Sequence, residues 1–134
     1  MRKWLVLGAA AVVLYAGTQH ATTAAVPVAH GSNEAMANSM AASGYGWTGS
    51  QATCLDELWT RENSGWDPTQ WNLGGSGAYG IPQALPASKM ASAGADWQTN
   101  PATQIRWGLG YIKDTYGDPC AAWRHEKSES PNWY

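Results

Sequence analysis

Apolar residues recur at helical spacing in the segment that follows residue 50. The residues that share this face are Cys54, Leu55, Leu58, Trp59 and Glu62. Spacings of three and four residues are typical of an amphipathic helix. Because residues 63–65 (Asn-Ser-Gly) are poor helix formers, we predict that the helix ends near Glu62. Thr48 and Gln51 have the spacing of a capping box, which places the start of the helix at Thr48.

A second long helix is predicted after Asn100, a residue type favoured at the N-cap, which precedes Pro101. Its apolar face comprises Ile105, Leu109, Ile112 and Tyr116. Gly117 follows this face at the position where a glycine ends many helices. We also predict a short helix over 87–93 and a last helical turn over 119–123.

The stretch between the first helix and residue 87 is rich in glycine, asparagine and serine, with Asn-Leu-Gly-Gly-Ser-Gly at 72–77. Such a composition predicts turns and a short hairpin. The expected fold class is therefore mainly α, or α+β, in the form of a small helical domain with a glycine-rich loop or short hairpin.

The chain begins with the basic residues Arg2 and Lys3, an apolar run over 4–17 and small residues over 22–25. This order is typical of a secretory signal peptide, and we predict cleavage after Ala25. A membrane anchor is the alternative, but the run is shorter than the ~20 residues that a bilayer-spanning helix needs. We therefore expect a secreted, extracellular or cell-wall-associated protein, with no stable membrane insertion after cleavage.

Residues 26–50 are mostly small and carry almost no charge, without a clear hydrophobic period. We predict a flexible low-complexity linker there, with a weak helix over 35–42 as the alternative. The folded domain is then expected over 51–134.

The chain contains two cysteines, Cys54 and Cys120, near the two ends of the predicted domain. A small domain gains stability from a cross-link, and an exported protein can oxidise its thiols. We predict a disulfide between them; a pair of buried free thiols is the alternative. The three histidines are scattered along the chain, so no metal site and no cofactor is expected.

The net charge is weakly acidic, with 8 basic and 10 acidic side chains. A nucleic-acid-binding protein needs a clustered basic excess, so we expect no nucleic-acid partner. No sequence motif indicates a protein partner, and we expect a monomer.

Glu62 is a carboxyl that continues an apolar helix face. We assign the other acids of the domain to exposed faces or caps, among them Asp56, Glu57, Asp114 and Asp118. Partial burial disfavours a carboxylate and should raise the pKa of Glu62. A carboxyl that stays protonated near neutral pH suits general acid catalysis, including cleavage of a glycosidic bond. The alternative is a structural carboxylate paired with Arg61 or Arg106.

Aromatic residues are unusual in type, with 9 Trp and 6 Tyr but no Phe. Six of them lie in or beside the loops around Glu62: Trp66, Trp71, Tyr79, Trp97, Trp107 and Trp123. A single tryptophan is more often packed in a core than exposed to a ligand. Six in so small a domain favour a saccharide-binding groove, because their rings pack on the C–H faces of sugars.

Three segments, in this order, resemble the motifs of the soluble lytic transglycosylase (SLT) domain of the lysozyme-like superfamily. They are Arg-Glu-Asn-Ser-Gly-Trp-Asp-Pro at 61–68, Ser-Gly-Ala-Tyr-Gly-Ile-Pro-Gln at 76–83, and Gln-Ile, Gly and Tyr-Ile within 104–112. The resemblance covers residues 54–123. It implies an enzyme that cleaves the β-1,4 bond between N-acetylmuramic acid and N-acetylglucosamine and leaves 1,6-anhydromuramoyl ends. Its partner would be the glycan strands of peptidoglycan.

By this resemblance, Glu62 matches the single catalytic glutamate of the family. Gln83 ends the segment that matches Gly-Leu-Met-Gln and would line the saccharide groove, and Tyr111 matches a tyrosine close to the catalytic acid. Trp123 replaces the tyrosine of an Ala-Ala-Tyr-Asn segment. The other residues of these segments and loops that we expect to contact substrate are Tyr79, Ile81 and Trp66.

The chain departs from the family at Asn63, where a serine is usual, and at Pro82, where methionine is usual. Asp67 is the nearest candidate for a second carboxylate, but beside Pro68 it suits a turn. A hydrolytic muramidase and a resuscitation-promoting-factor-like wall hydrolase remain alternatives. A non-catalytic wall-binding module, with a structural Glu62, is another.

Overall fold

The computed structural model describes residues 30–129. The predicted signal peptide over 1–25 lies outside the described residues. Four α-helices are present, α1 (His30–Tyr45), α2 (Ser50–Glu62), α3 (Pro101–Tyr116) and α4 (Pro119–Ser128), with a 3₁₀ helix at Ala87–Ala93 before α3. The prediction of a mainly helical domain is confirmed. None of the helices within 30–129 is long and apolar enough to cross a membrane.

Helix α2 buries the predicted apolar face, with Leu55, Leu58 and Trp59 inside the core. Its start differs from the prediction, because Gly49 occupies the N-cap and no side chain caps the helix. The side chain of Gln51 instead accepts a hydrogen bond of 2.9 Å from the backbone N–H of Cys120. The expected capping box is therefore wrong, and this glutamine joins α2 to α4.

The predicted disulfide between Cys54 and Cys120 is confirmed, with the two Cα atoms 5.0 Å apart. The bond joins residues that are 66 positions apart, and closing such a loop removes about 4 kcal/mol of denatured-state entropy in the chain model. The disulfide joins α2 and α4 near their N-terminal ends, and Arg61 contacts Glu126 near their C-terminal ends. The two helices therefore run parallel.

The segment that was expected to be a linker, 26–50, contains helix α1, which packs on α2 and α3. Ala37, Ala41 and Trp47 are buried in the main core, and Met36 and Met40 pack against it. The prediction of a flexible tether is therefore wrong for residues 30–50, and the folded domain extends well before residue 51. The buried face does have helical spacing, but alanine, asparagine and methionine form it, so its hydrophobic contrast in the sequence is weak.

Helix α3 and the 3₁₀ helix have the predicted bounds. The side chain of Asn100 accepts a hydrogen bond of 2.9 Å from Ala102 N–H, and Gly117 ends α3 with a φ of 90°. A Cβ atom added at Gly108 would lie 2.6 Å from the Trp59 ring. Glycine thus lets the ring of Trp59, from α2, lie directly against the backbone of α3.

The glycine-rich segment forms two isolated antiparallel bridges, which pair Tyr79 with Trp71 and with Ala84. The predicted hairpin is present only in this reduced form, and residues 30–129 contain no regular strand. The carbonyl of Asn72 accepts hydrogen bonds from the N–H groups of Gly75 and Gly77. Because these backbone groups are bonded within the tight turn, they are not available to extend the antiparallel pairing of the hairpin.

Helix α4 is longer than the single turn expected over 119–123. Asp118 caps it as expected, by accepting a hydrogen bond of 2.8 Å from Ala121 N–H. The helix continues through four polar residues to Ser128. Its buried face comprises Pro119, Ala122 and Glu126. The polar composition after Trp123 hid this extension from the sequence analysis.

Candidate functional site

Glu62 is the last residue of α2, and its side chain is half-buried. The pKa of Glu62 is raised to about 7, chiefly by burial and then by the nearby Glu126 carboxylate, while Arg61 opposes both effects. The direction agrees with the expectation from its position at the end of an apolar face. Near neutral pH, Glu62 therefore carries a proton that it can donate.

A second carboxyl, that of Glu126, contacts Glu62, and it was not predicted from the sequence. Its side chain is only 2% exposed, and one of its oxygens lies 3.0 Å from Nε of Arg61. The Glu62 carboxyl donates a hydrogen bond to the Glu126 carboxylate. Burial raises the pKa of Glu126 as well, while Arg61 and His125 oppose this. The signal was its spacing from Pro119 and Ala122, seven and four residues earlier.

Two tyrosines of α3 lie on another side of the carboxyl pair. Burial, a hydrogen bond to Tyr111 and the charges of both glutamates raise the pKa of Tyr116, which therefore stays neutral. The ring of Tyr111 stacks on that of Trp107, with centroids 5.2 Å apart. These contacts connect the carboxyl pair to the aromatic surface of α3.

A small hollow of about 60 Å³ lies beside this surface. Its lining residues are Pro82, Gln83, Ala84, Leu85, Lys89, Trp107 and Tyr111. The structure therefore brings together two of the predicted site residues, Gln83 and Tyr111. The backbone of Gln83 has a φ of 51°, a left-handed conformation that is strained for this residue type. Its side-chain amide donates to the carbonyl of Gly80 at 2.8 Å, which holds the turn in place.

Trp123, also predicted to bind substrate, lines a different and wider hollow of about 460 Å³ with residues of α2. Lys127 and Arg61 lie over its ring, 5.0 and 5.9 Å from the centroid. Neither hollow includes Glu62 in its lining. Glu62 is linked to the first through Tyr116 and Tyr111, and to the second through its contact with Glu126 and Arg61.

Three other side chains that were predicted to contact substrate are buried in the structure. Trp66 and Ile81 are fully buried in the main core, and Tyr79 is 7% exposed. The indole N–H of Trp66 donates to the hydroxyl of Thr60 at 3.0 Å, and the hydroxyl of Tyr79 donates to the carbonyl of Gln98 at 2.5 Å. In the structure, these side chains pack inside the fold and support the loops around the site.

Two buried amides hold those loops, and the sequence analysis did not assign them this role. The amide of Asn63 donates to the carbonyls of Asp67 and Gly80, at 2.8 and 3.0 Å. The amide of Gln104 donates to the carbonyls of Pro68 and Trp97 and accepts from the N–H of Ile81. The signal in the sequence is that Asn63 directly follows Glu62 at the predicted helix end. A side-chain amide that is buried at such a position needs several hydrogen-bond partners.

Asp67, considered as a second carboxylate, is exposed. It accepts hydrogen bonds of 2.8 Å from both the backbone and the hydroxyl of Thr69, so it forms a turn. Within residues 30–129, no group of three histidine, cysteine or acidic side chains is placed to hold a metal ion.

The site therefore consists of a half-buried glutamate, its buried carboxylate partner and, linked to them through Tyr116 and Tyr111, a small hollow lined by aromatic and polar side chains. Comparisons of this chain with protein-family models, with curated proteins and with solved structures found no match.

Proposed function

We propose that this protein is a secreted peptidoglycan lytic transglycosylase with a lysozyme-like helical fold, in which Glu62 is the single acid and base. The observation that carries the proposal is the half-buried carboxyl of Glu62, whose pKa is raised to about 7. A general acid is most effective when its pKa lies near the working pH. The three sequence segments that resemble the SLT domain are joined to one another by hydrogen bonds of Asn63 with Gly80 and of Gln104 with Ile81 and Pro68.

The proposed reaction starts with proton transfer from Glu62 to the oxygen that bridges N-acetylmuramic acid and N-acetylglucosamine. The bond from that oxygen to C1 of the muramoyl sugar breaks, and positive charge develops at C1. The Glu62 carboxylate then takes the proton of the C6 hydroxyl while the C6 oxygen forms a bond to C1. The products are a 1,6-anhydromuramoyl end and a free N-acetylglucosamine hydroxyl, and Glu62 is again protonated.

The position of Glu126 favours this single-carboxylate mechanism. In glycosidases with two catalytic carboxyls, the groups are about 5–5.5 Å apart for retention and about 6.5–9.5 Å apart for inversion. Glu62 and Glu126 are instead in direct hydrogen-bond contact, which leaves no room for a sugar or a water between them. Glu126 is also buried. Neither a nucleophile nor a water-activating base is therefore available from this pair.

The proposed partner is the glycan strand of peptidoglycan, bound by a monomer. Gln83 and Tyr111 offer an amide and a phenol beside the stacked Trp107 ring, and Trp123 offers a second aromatic surface. Secretion is supported by the disulfide, which is typical of exported proteins, together with the signal peptide predicted over 1–25.

Digestion of purified peptidoglycan, followed by mass spectrometry of the products, tests the proposal. We expect 1,6-anhydro ends from the wild-type protein and none from Glu62→Gln, which should still fold and bind glycan. The charge-matched control is Glu129→Gln, at the exposed end of α4. Reducing ends would identify a hydrolase, and retention on peptidoglycan without cleavage would identify a binding module. Cleavage by Glu62→Gln at the wild-type rate would refute the role of Glu62.

A further inference from the structure

We infer that Glu126 is a positioning residue of the proposed reaction: its carboxylate, fixed by Arg61, accepts the hydrogen bond of Glu62 and keeps the reactive proton there. The inference rests on the proposed function for its catalytic meaning. The hydrogen-bonded pair itself belongs to the structure of the protein, whatever its activity.

The geometry holds Glu126 in one place. It lies on the buried face of α4 with 2% of its side chain exposed, and Nε of Arg61 contacts it at 3.0 Å. Arg61 and Glu62 are neighbours at the end of α2, so one helix terminus supplies both partners of Glu126. The parallel α2 and α4 are cross-linked at their other ends by Cys54 and Cys120. The two helices therefore cannot easily slide and separate the carboxyls.

The charges around the pair decide which carboxyl keeps the proton. Among the described residues, the titratable groups that act on the pair are Arg61 on α2, Tyr116 on α3, which is hydrogen-bonded to Tyr111, and His125 on α4. Arg61 and His125 favour the charged form of Glu126, and Tyr116 stays neutral because its pKa is raised. Two carboxyls in contact cannot both ionise readily. Glu126 therefore ionises first, and its charge then opposes ionisation of Glu62.

Glu126 does not act on the substrate itself, because its buried side chain is out of reach of a saccharide. Its effect is to move the pH range over which Glu62 is protonated. Without the negative charge of Glu126, Glu62 would lose its proton at lower pH and would be a poorer acid near neutrality.

The test is Glu126→Gln, which keeps the shape of the side chain and removes the charge. Carboxyl titration by carbon-detected NMR, on protein labelled at glutamate carboxyls, reports Glu62 without requiring turnover. We expect its midpoint to fall by about one pH unit or more relative to wild type, and the alkaline limit of cleavage to fall with it. Asp114→Asn, which removes an exposed carboxylate of α3, should leave both unchanged.

Arg61→Gln provides a second variant with the opposite sign. Because Arg61 opposes the raised pKa of both glutamates, its removal should move the Glu62 midpoint upward. If neither variant folds, the wild-type titration still decides: two linked carboxyl transitions, with the later one near pH 7, support the inference. A single Glu62 transition near its ordinary range would overturn it, as would a midpoint that Glu126→Gln leaves unchanged.

The two proposals fail in different ways. If the wild-type protein leaves peptidoglycan intact while the Glu62 midpoint shifts as expected in Glu126→Gln, the proposed function fails and the proton-holding pair stands. If peptidoglycan is cleaved but the alkaline limit of cleavage is the same in wild type and Glu126→Gln, the positioning role of Glu126 fails alone.

Discussion

The side-chain amide of Asn63 donates a hydrogen bond of 3.0 Å to the carbonyl oxygen of Gly80. Asn63 directly follows Glu62, and Gly80 begins the turn that carries Gln83. The side-chain oxygen of the same asparagine accepts from the N–H of Asp67 at 3.1 Å. One fully buried residue thus sets the distance between the proposed acid and the groove that would hold its substrate.

Asn63→Ala should lower the free energy of unfolding by about 2 kcal/mol, because it leaves several buried backbone groups without partners. Cleavage should fall more than substrate binding, since the Glu62 end of α2 loses its connection to the groove. Chemical denaturation and cleavage kinetics measure the two effects. The exposed neighbour Ser64, changed to Ala, is the control, and an unfolding free energy equal to wild type in Asn63→Ala would contradict this role.

Stability should be greater at about pH 5 than at about pH 8. The pKa of Glu62 is raised in the folded protein from an ordinary 4.5 to about 7, so the folded state binds this proton more tightly than the unfolded state. Its contribution is fully present below about pH 4.5 and is lost as pH rises through about 7. The loss is on the order of 1–3 kcal/mol.

Denaturant titrations at several pH values measure this loss in wild type and in Glu62→Gln. The variant should be less sensitive to pH over the same interval, because its amide does not ionise. An identical pH dependence in the two proteins would show that Glu62 titrates in the same way whether the chain is folded or unfolded.

Reduction of the Cys54–Cys120 bond should lower the free energy of unfolding by about 2–4 kcal/mol. The chain has two cysteines, so a thiol reductant acts on this bond alone. Calorimetry with and without reductant measures the change in melting temperature. The double variant Cys54→Ser with Cys120→Ser should melt at the temperature of the reduced protein, with or without reductant, and an oxidised protein no more stable than this variant would argue against a stabilising role.

Gly108→Ala and Gly110→Ala should have opposite effects, although both place alanine in the middle of α3. At position 108 the new Cβ would lie 2.6 Å from Trp59 and 3.0 Å from Pro82, and such overpacking costs about 1–3 kcal/mol. At position 110 the nearest atom is the Tyr45 hydroxyl at 3.8 Å, so the better helix propensity of alanine should add up to about 1 kcal/mol. Thermal unfolding compares the two variants, and equal melting temperatures would contradict the close contact of the Trp59 ring with Gly108.

The parts of the fold that were predictable have strong local signals. Helix α3 has a capping asparagine, a proline in its first turn, a stripe of large aliphatic residues and a terminal glycine. All of these signals predict the same helix with the same bounds. Helix α1 has none of them. Its buried positions Ala37 and Ala41 carry small side chains. Such side chains contribute to a hydrophobic core only when another helix packs closely against them. Packing of this kind depends on tertiary contacts that no local pattern contains.

The site was partly predictable for the same reason. Glu62 continues a stripe of large apolar residues at the end of α2, so its partial burial could be predicted from the sequence. Glu126 follows a charged stretch, and its burial depends on the pairing of α4 with α2. Trp66 was predicted to line the groove because a tryptophan beside a glycine-rich loop can lie either in the core or in a binding groove. Asn33, whose amide donates to the carbonyl of Trp66 at 2.9 Å, belongs to the helix that was not predicted.

The parallel course of α2 and α4 has a consequence for the backbone as well as for the side chains. Both helices end beside the carboxyl pair, and each helix terminus presents unpaired carbonyl groups that together carry about half a negative charge. Two such partial charges oppose a carboxylate at Glu62 in addition to any neighbouring residue. Part of the preference for a neutral acid is therefore contributed by the direction of the chain, and mutation of side chains alone would leave that part in place.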